Sequence, residues 1–449
     1  MRLYKEPLFF AGFLFALGIS LRILDSLYIT LTLFLLIPFV VFLKRCEFFI
    51  LLGFLIVGYL RGAKNLKLNL FRTEINGKYI QGIFRIKNSN KFYLDKLPIP
   101  FIIRGAQGGE YGERVRIKGR VRVWSRMLFI KASNISPVNS SKNFFEKLHN
   151  KINRKLLEEL GMNDTYFLAR SLILGDRDML PERIKNSFRN SGIAHLLAIS
   201  GLHAGMIFII ISIILSFFPI NSVWKYILII STLFFYTYIV GFQAPIARAF
   251  IFTIGITLPY YLMRRISPFN ALGIALLISS LFKPEWVTSP GFLLSYLATL
   301  GILYFLPKIK IKTIVARYTL YPLLASLFAQ ILTIPISSLF FGNISLLSPF
   351  TNLVFLPLVF IFLSETLLAL LFSFLKLYLL SSRFSACAHI LGQIIAKLAG
   401  KISSLSFASI EFRPKTFLIP IYYLIITLII LFLEIRKDDG NGVDVRNIM

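Results

Sequence analysis

A chain of 449 residues that is 56% hydrophobic, with a mean hydropathy of +0.72, is too apolar for a soluble globular protein, and apolar runs of spanning length recur along it. Its 50 Lys and Arg against 21 Asp and Glu give a formal charge of +29, which reflects either cytoplasmic loops under the positive-inside rule or an anionic substrate such as nucleic acid. The two cysteines, Cys46 and Cys387, lie in or beside apolar segments and indicate neither a disulfide framework nor a thiolate metal cluster.

Residues 1–64 hold three apolar segments, at roughly 7–21, 27–43 and 48–60. The N-terminus has the basic start and apolar run of a signal peptide but no small-residue cleavage site, so it is expected to stay as a first helix. Arg2 and Lys5 precede the first segment, and Lys44 and Arg45 separate the second and third. The positive-inside rule puts both clusters in the cytoplasm, so the third helix exits to the outside.

Residues 65–140 change character. YIQGIFRIK, KFYLDKL, IPFIIRG, GERVRIKGRVRVW and RMLFIKA alternate with period two, separated by Gly- and Asn-containing turns. Five short strands in so few residues predict a small OB-like barrel outside the cytoplasm. Residues 141–190 then turn helical. Phe145, Leu148, Ile152 and Leu156 share one face of an amphipathic helix over 142–160, of the kind that lies at a membrane interface. A second helix over about 165–174 ends at Gly175, and Pro181 suits the first turn of a third.

From 191 to 434 the chain is apolar again, with candidate spans at 193–218, 224–241, 244–263, 268–282, 291–306, 318–340, 347–376 and 416–434. The 347–376 run fits one tilted helix or two half-spans, and 386–404 fits a span or a surface helix. Arg264–Arg265 and Lys308–Lys312 both fall in the cytoplasm if the region starts outside. A polar tail, 435–449, follows. The expected class is therefore a polytopic α-helical membrane protein of about 10–12 spans with an inserted β domain.

Two regions carry candidate chemistry. In ERVRIKGRVRV, Arg114, Arg116, Lys118, Arg120 and Arg122 alternate with Val115, Ile117, Gly119, Val121 and Val123, so the cations line one face of a strand. Lys87 and Arg126 add to the same basic domain, and Tyr79, Phe84, Phe92, Tyr93 and Trp124 are interleaved. Cations beside aromatic rings suit single-stranded nucleic acid. Anionic lipid headgroups and a merely solvated face are the alternatives.

The second is AHLLAISGLHAGM, 194–206. On an ideal helix His195, Ser200 and His203 share one broad arc along about 12 Å of axis, while Gly201 and Gly205 form a GxxxG packing surface. The arc fits interhelical hydrogen-bond glue or a pore lining. A Ser200–His203 hydrolase is a further alternative, although AISGL is not the GxSxG elbow and no orienting acid is evident. No Cys, Asp or Glu sits beside the histidines, so no metal is expected. Gln243, Arg248, Gln330, Asn352 and Glu365 are the other polar groups within apolar runs, and Pro245, Pro335, Pro349 and Pro357 suggest irregular helices.

SLILGDRDMLPERIKNSFRNSGIAHLLAISGLHAGM, with its LxLGDR element (Gly175, Asp176, Arg177) followed by AHLLAISGLH, resembles the signature of ComEC-type competence proteins. YTYIVGFQAPIARAF, SPFNALGIALLI, SPGFLLSYLATLGILYF, LLASLFAQILTIP and FGNISLLSPFTNLVFLPLV extend the resemblance over nearly the whole chain. It implies a bacterial inner-membrane channel that passes one DNA strand inward, with the OB-like domain outside. Many members add a metallo-β-lactamase-like domain; this chain's four histidines cannot supply that domain's metal motifs, so a short form is expected. No GxxxxGK[ST] loop is present. The implied partners are single-stranded DNA, membrane lipids, a DNA receptor, a separate nuclease and a cytoplasmic motor ATPase, with no cofactor and no catalytic residue of its own. A transporter of some other solute is the remaining alternative.

Overall fold

The protein is described from a computed structural model covering residues 13–14, 16, 79–88, 91–94, 100–104, 113–124, 127–138, 144–197, 201–242, 244–261, 266–287, 289–309, 311, 313–405, 407–414, 418–419, 421–426 and 428–429. The expected spans at 27–43 and 48–60, nearly all of that at 7–21, and the 435–449 tail lie outside the described residues.

The five expected strands are present: β1 Tyr79–Asn88, β2 Lys91–Leu94, β3 Pro100–Arg104, β4 Arg114–Trp124 and β5 Met127–Val138. They close into a barrel in the order β1-β2-β3-β5-β4, antiparallel throughout except where β3 runs parallel to β5. The period-two pattern does this by turning every second residue inward. Val115, Ile117 and Val121 meet Phe84, Ile86, Phe101, Leu128 and Ile130 in the interior, and Phe84 and Phe101 pack edge to face at 5.3 Å. Gly119 lies at a register shift between β4 and β5. A Cβ there would sit 2.5 Å from the Lys131 carbonyl oxygen and 2.8 Å from Ile130 Cγ2, so only glycine lets the strands approach this closely.

Three helices follow: α1 Phe144–Leu160, α2 Asp164–Leu174 and α3 Glu182–Asn190. Asn163 caps α2, its side chain accepting from the Tyr166 N–H at 3.1 Å. Gly175 ends it in the left-handed region at φ +77°. The amphipathic α1 does not present its apolar face to lipid. Leu156 and Leu160 are buried in one core with Leu168 and Leu172 of α2, Phe188 of α3 and residues of later helices, Met206, Phe362 and Ala388 among them.

The apolar region forms α4 Gly201–Ser216, α5 Ser222–Ile239, α6 Ala244–Tyr261, α7 Pro268–Phe282, α8 Pro290–Phe305, α9 Ile314–Phe341, α10 Ser348–Phe374 and α11 Tyr378–Ser403. Among the described residues, five stretches are long and apolar enough to cross a membrane: Ser222–Ile239, Pro290–Lys308, Ala316–Phe341, Ser348–Phe374 and Tyr378–Ser403. Shorter apolar helices cover His203–Ser216, Pro245–Leu258 and Pro268–Phe282. The chain is a polytopic helical membrane protein.

Several boundaries differ from expectation. The span expected from 193 begins later, because residues 193–197 run in turns and α4 is helical from Gly201. The 347–376 run is one helix of 27 residues, about 40 Å long at 1.5 Å per residue, enough to span with tilt. The ambiguous 386–404 stretch belongs to α11, which packs along α10. Pro245 and Pro349 lie in first turns, where a missing N–H costs nothing, whereas Pro322, Pro335 and Pro357 sit inside unbroken helices. Of the expected span at 416–434, residues 418–419, 421–426 and 428–429 are helical. There the Tyr422 and Tyr423 hydroxyls donate to the Ile331 and Leu332 carbonyls of α9, each at 2.8 Å.

Between helices in lipid the hydrophobic driving force is weak, so close packing and polar contacts must hold them. Gly301 of α8 lies so close to the Phe328 carbonyl of α9 that a Cβ would collide with it, and Gly392 of α11 leaves room for Thr165 of α2, whose Cγ2 would be 2.5 Å from a Cβ. Two short strands, β6 Asn343–Ser345 and β7 Ser409–Glu411, pair antiparallel between the segments that follow α9 and α11.

Candidate functional site

The outer face of the barrel is the first centre. Arg116, Lys118, Arg120 and Arg122 are exposed and Arg114 half-buried, as the alternation of β4 requires. Register places Gln81 and Asn134 beside Lys118, Tyr79 and Lys131 beside Arg120, Ser136 beside Arg116, Arg85 beside Arg114 and Phe129 beside Arg122. Tyr79 is 57% exposed and sits opposite Arg120 in the β1–β4 register. None of β1, β4 or β5 contains an Asp or Glu. Lys87 lies on β1 at the register shift between Ile86 and Asn88, and Arg126 lies outside the described residues.

The second centre lies where the LGDR element meets the turns before α4. Asp176 is 4% exposed and faces inward. Its Oδ2 accepts from Arg170 Nε and Nη2, each at 3.0 Å. Arg170 Nη1 donates to the Tyr166 hydroxyl at 3.2 Å, which donates to Asn153 Oδ1 at 2.9 Å. His149 Nε2 is 3.8 Å from the same Asp176 oxygen. Burial first, and then the Arg170 guanidinium, lower the His149 pKa to about 4, so the ring is neutral near pH 7 and the contact is not an ion pair. Asp176 is thus a clasp joining α1, α2 and the signature loop, a role the sequence did not reveal because His149, Asn153 and Arg170 come from two other helices.

The turn segment after α3 is irregular backbone inside an apolar bundle, tolerated only where its polar groups are satisfied or face water. Hydroxyls supply the bonds: Thr351 Oγ1 donates to the Ser191 carbonyl at 2.9 Å, Ser348 Oγ to Gly192 at 3.2 Å and Ser171 Oγ to Leu197 at 3.0 Å. Gly192, at φ +79°, presses against Ser345, and a Cβ there would lie 2.8 Å from Ser348 Cβ. His195 is exposed on this segment, whereas His203 in the first turn of α4 is fully buried. His203 is within electrostatic reach of His195 and Arg177.

The single polar arc expected of His195, Ser200 and His203 is not formed, since His195 precedes the helix; Ser200 and Gln243 lie outside the described residues. The expected GxxxG surface is half realised. A Cβ on Gly201 would lie 3.3 Å from Ala249 Cβ of α6, while one on Gly205 would meet nothing within 4 Å. Arg248, beside Ala249, is buried at 3% exposure rather than snorkelling; Nη2 donates to the Gly291 carbonyl at 2.9 Å, and Cζ lies 5.0 and 5.2 Å from the Phe292 and Tyr296 ring centroids.

A sequence model of the family described as Competence protein matches residues 172–437, which include the signature loop, the turn segment and α4 to α11. An uncharacterized protein of Aquifex aeolicus (strain VF5) is 28% identical over 195 residues, 43% of this chain and 45% of that relative. ComE operon protein 3 of Bacillus subtilis (strain 168) is 26% identical over 196 residues, 43% of this chain and 25% of that relative. The chain thus covers less than half the length of either curated relative. No solved structure matches it.

Proposed function

Because the chain belongs to the Competence protein family, we propose that it acts in DNA uptake, moving a single strand across the cytoplasmic membrane during natural transformation. The observation that carries this reading is the basic face of the barrel, whose strands β1, β4 and β5 contain no Asp or Glu. Its cations are Arg114, Arg116, Lys118, Arg120 and Arg122, with Lys87 on the adjoining strand and Arg126 close by in sequence. Phosphates release counterions when they meet such a face, and an exposed ring such as Tyr79 adds a stacking platform. The strand order and the parallel β3–β5 closure support an OB-like module. Placed outside the membrane, where the positive-inside rule does not explain its charge, it captures the strand.

The strand then enters the helical bundle. A phosphate chain crossing hydrocarbon needs polar or cationic groups along its route, because unpaired charge there is costly. Arg177, His195, His203 and Arg248, with Ser200 and Gln243 from the same sequence stretches, are the groups proposed for that route. A DNA receptor, a separate nuclease and a cytoplasmic motor ATPase complete the uptake system.

The test is oligonucleotide affinity of the full chain in detergent as a function of salt. The Arg116→Glu, Lys118→Glu, Arg120→Glu triple variant is expected to lose affinity and to flatten the log K against log salt slope by about 2, three contacts at about 0.7 each. An unchanged slope and affinity would remove the barrel from the account.

A further inference from the structure

Arg248 is held in an unfinished setting. Besides the single bond from Nη2 to Gly291, neither Nε nor Nη1 has a hydrogen-bond partner among the described residues. The Phe292 and Tyr296 rings offset part of the charge but give no in-plane acceptor. Helices α4 to α9 contain no Asp or Glu, so no carboxylate on them can answer this cation. A buried donor left unsatisfied is costly, the more so when charged.

Three helix starts meet at the same place. Gly201, the first residue of α4, abuts Ala249 of α6. Gly291, the second residue of α8, lies against Pro245 in the first turn of α6, with 4.0 Å from its Cβ position to Pro245 Cγ. Each helix N-terminus carries about half a positive charge; at α8, Pro290 has no N–H and Ser289 accepts from the Phe292 N–H, so that end acts through its dipole rather than through those groups. The three positive ends therefore reinforce the guanidinium instead of neutralising it. Gly201 and Gly291 are both exposed, and the Gly291 carbonyl is the one that the guanidinium meets.

We propose that Arg248 and the N-terminal ends of α4, α6 and α8 form a seat for one phosphodiester monoanion, the unit repeated along a nucleic-acid backbone. A planar fork of N–H donors fits two phosphate oxygens, and helix N-termini are ready-made anion sites, used by broken helices within membranes. This assignment rests on the DNA-uptake reading for the source of the anion. Its chemistry, a singly charged phosphodiester, is shared with phospholipid headgroups.

The experiment uses the full chain in a phosphate-free maltoside detergent and follows its thermal midpoint with dimethyl phosphate against equal chloride. Wild type is expected to rise by about 2–4 °C at saturation. The Arg116→Glu, Lys118→Glu, Arg120→Glu variant should keep that rise, Arg248→Gln should lose it, and Arg248→Lys, retained in case Gln does not fold, should show less of it. No rise in wild type, or an equal rise in either Arg248 variant, overturns the seat. Protection of wild type by phosphatidylglycerol and dimethyl phosphate but not by an oligonucleotide overturns its assignment to nucleic acid. The two readings separate on the same samples. An oligonucleotide that binds while dimethyl phosphate has no effect overturns the seat and spares DNA uptake; dimethyl phosphate protection without oligonucleotide binding keeps the seat and removes the DNA reading.

Discussion

Asp176 and Arg248 show two ways of keeping a charge inside a helical bundle. Asp176 is answered by two nitrogens of Arg170, whereas Arg248 has one carbonyl and two aromatic rings. The first is the pattern of a structural clasp and the second that of a site awaiting a partner. The clasp makes a pH prediction through His149. Its ordinary pKa of 6.5 is lowered to about 4 in the fold, by burial and then by Arg170. Between those values the unfolded chain binds a proton that the folded chain does not, so stability rises with pH across this window. The stability present above pH 6.5 is lost as pH falls through 4, and the loss for this one group is about 3 kcal/mol at one pKa unit per 1.36 kcal/mol. Unfolding of the chain in detergent at pH 7 and pH 4.5 should show the drop, and His149→Gln should reduce it. Equal pH dependence in both proteins would mean that His149 is not held neutral.

At the scale of elements, small residues set how closely the helices approach, and not all glycines are equal in this. Gly301→Ala is expected to destabilise the α8–α9 pair by about 1–3 kcal/mol, because the added Cβ meets the backbone carbonyl of Phe328, which has little freedom to move. Gly205→Ala meets nothing within 4 Å and is expected to be neutral or slightly stabilising. Thermal unfolding of the two variants side by side checks this; equal effects would contradict the packing described. This distinction was not legible in the sequence, where Gly201 and Gly205 form a symmetrical motif. The strands and most span positions were legible, because period-two alternation and runs of apolar residues report local geometry directly. The start of α4 was not. Nothing in AHLLAISGLHAGM signals that 193–197 leave the helix, since the reason lies in hydroxyls of Ser171, Ser348 and Thr351 elsewhere in the chain. The docking of α1 was hidden likewise. Its partners are remote: Ser385 of α11 donates to Glu159 at 2.7 Å, and the Tyr238 ring of α5 lies 3.9 Å from that of Phe145.

In the whole molecule, a barrel whose strands β1, β4 and β5 contain no Asp or Glu is joined to a bundle whose helices α4 to α9 carry no carboxylate. In the proposed function both halves attract the same polyanion. The basic strand and the two signature elements were readable from sequence order alone. The electrostatic reach of Arg177 and His195 to His203, and the contact of Arg248 with the start of α8, needed the fold. The most direct measurement is uptake of labelled DNA into a nuclease-protected cytoplasmic pool, in cells lacking this chain and in the same cells complemented with wild type or with Arg116→Glu, Lys118→Glu, Arg120→Glu. The account predicts that deletion abolishes uptake, that wild type restores it, and that the variant restores roughly a tenth or less, as expected when three phosphate contacts are reversed. Uptake in the deletion cells equal to that in wild type would contradict it.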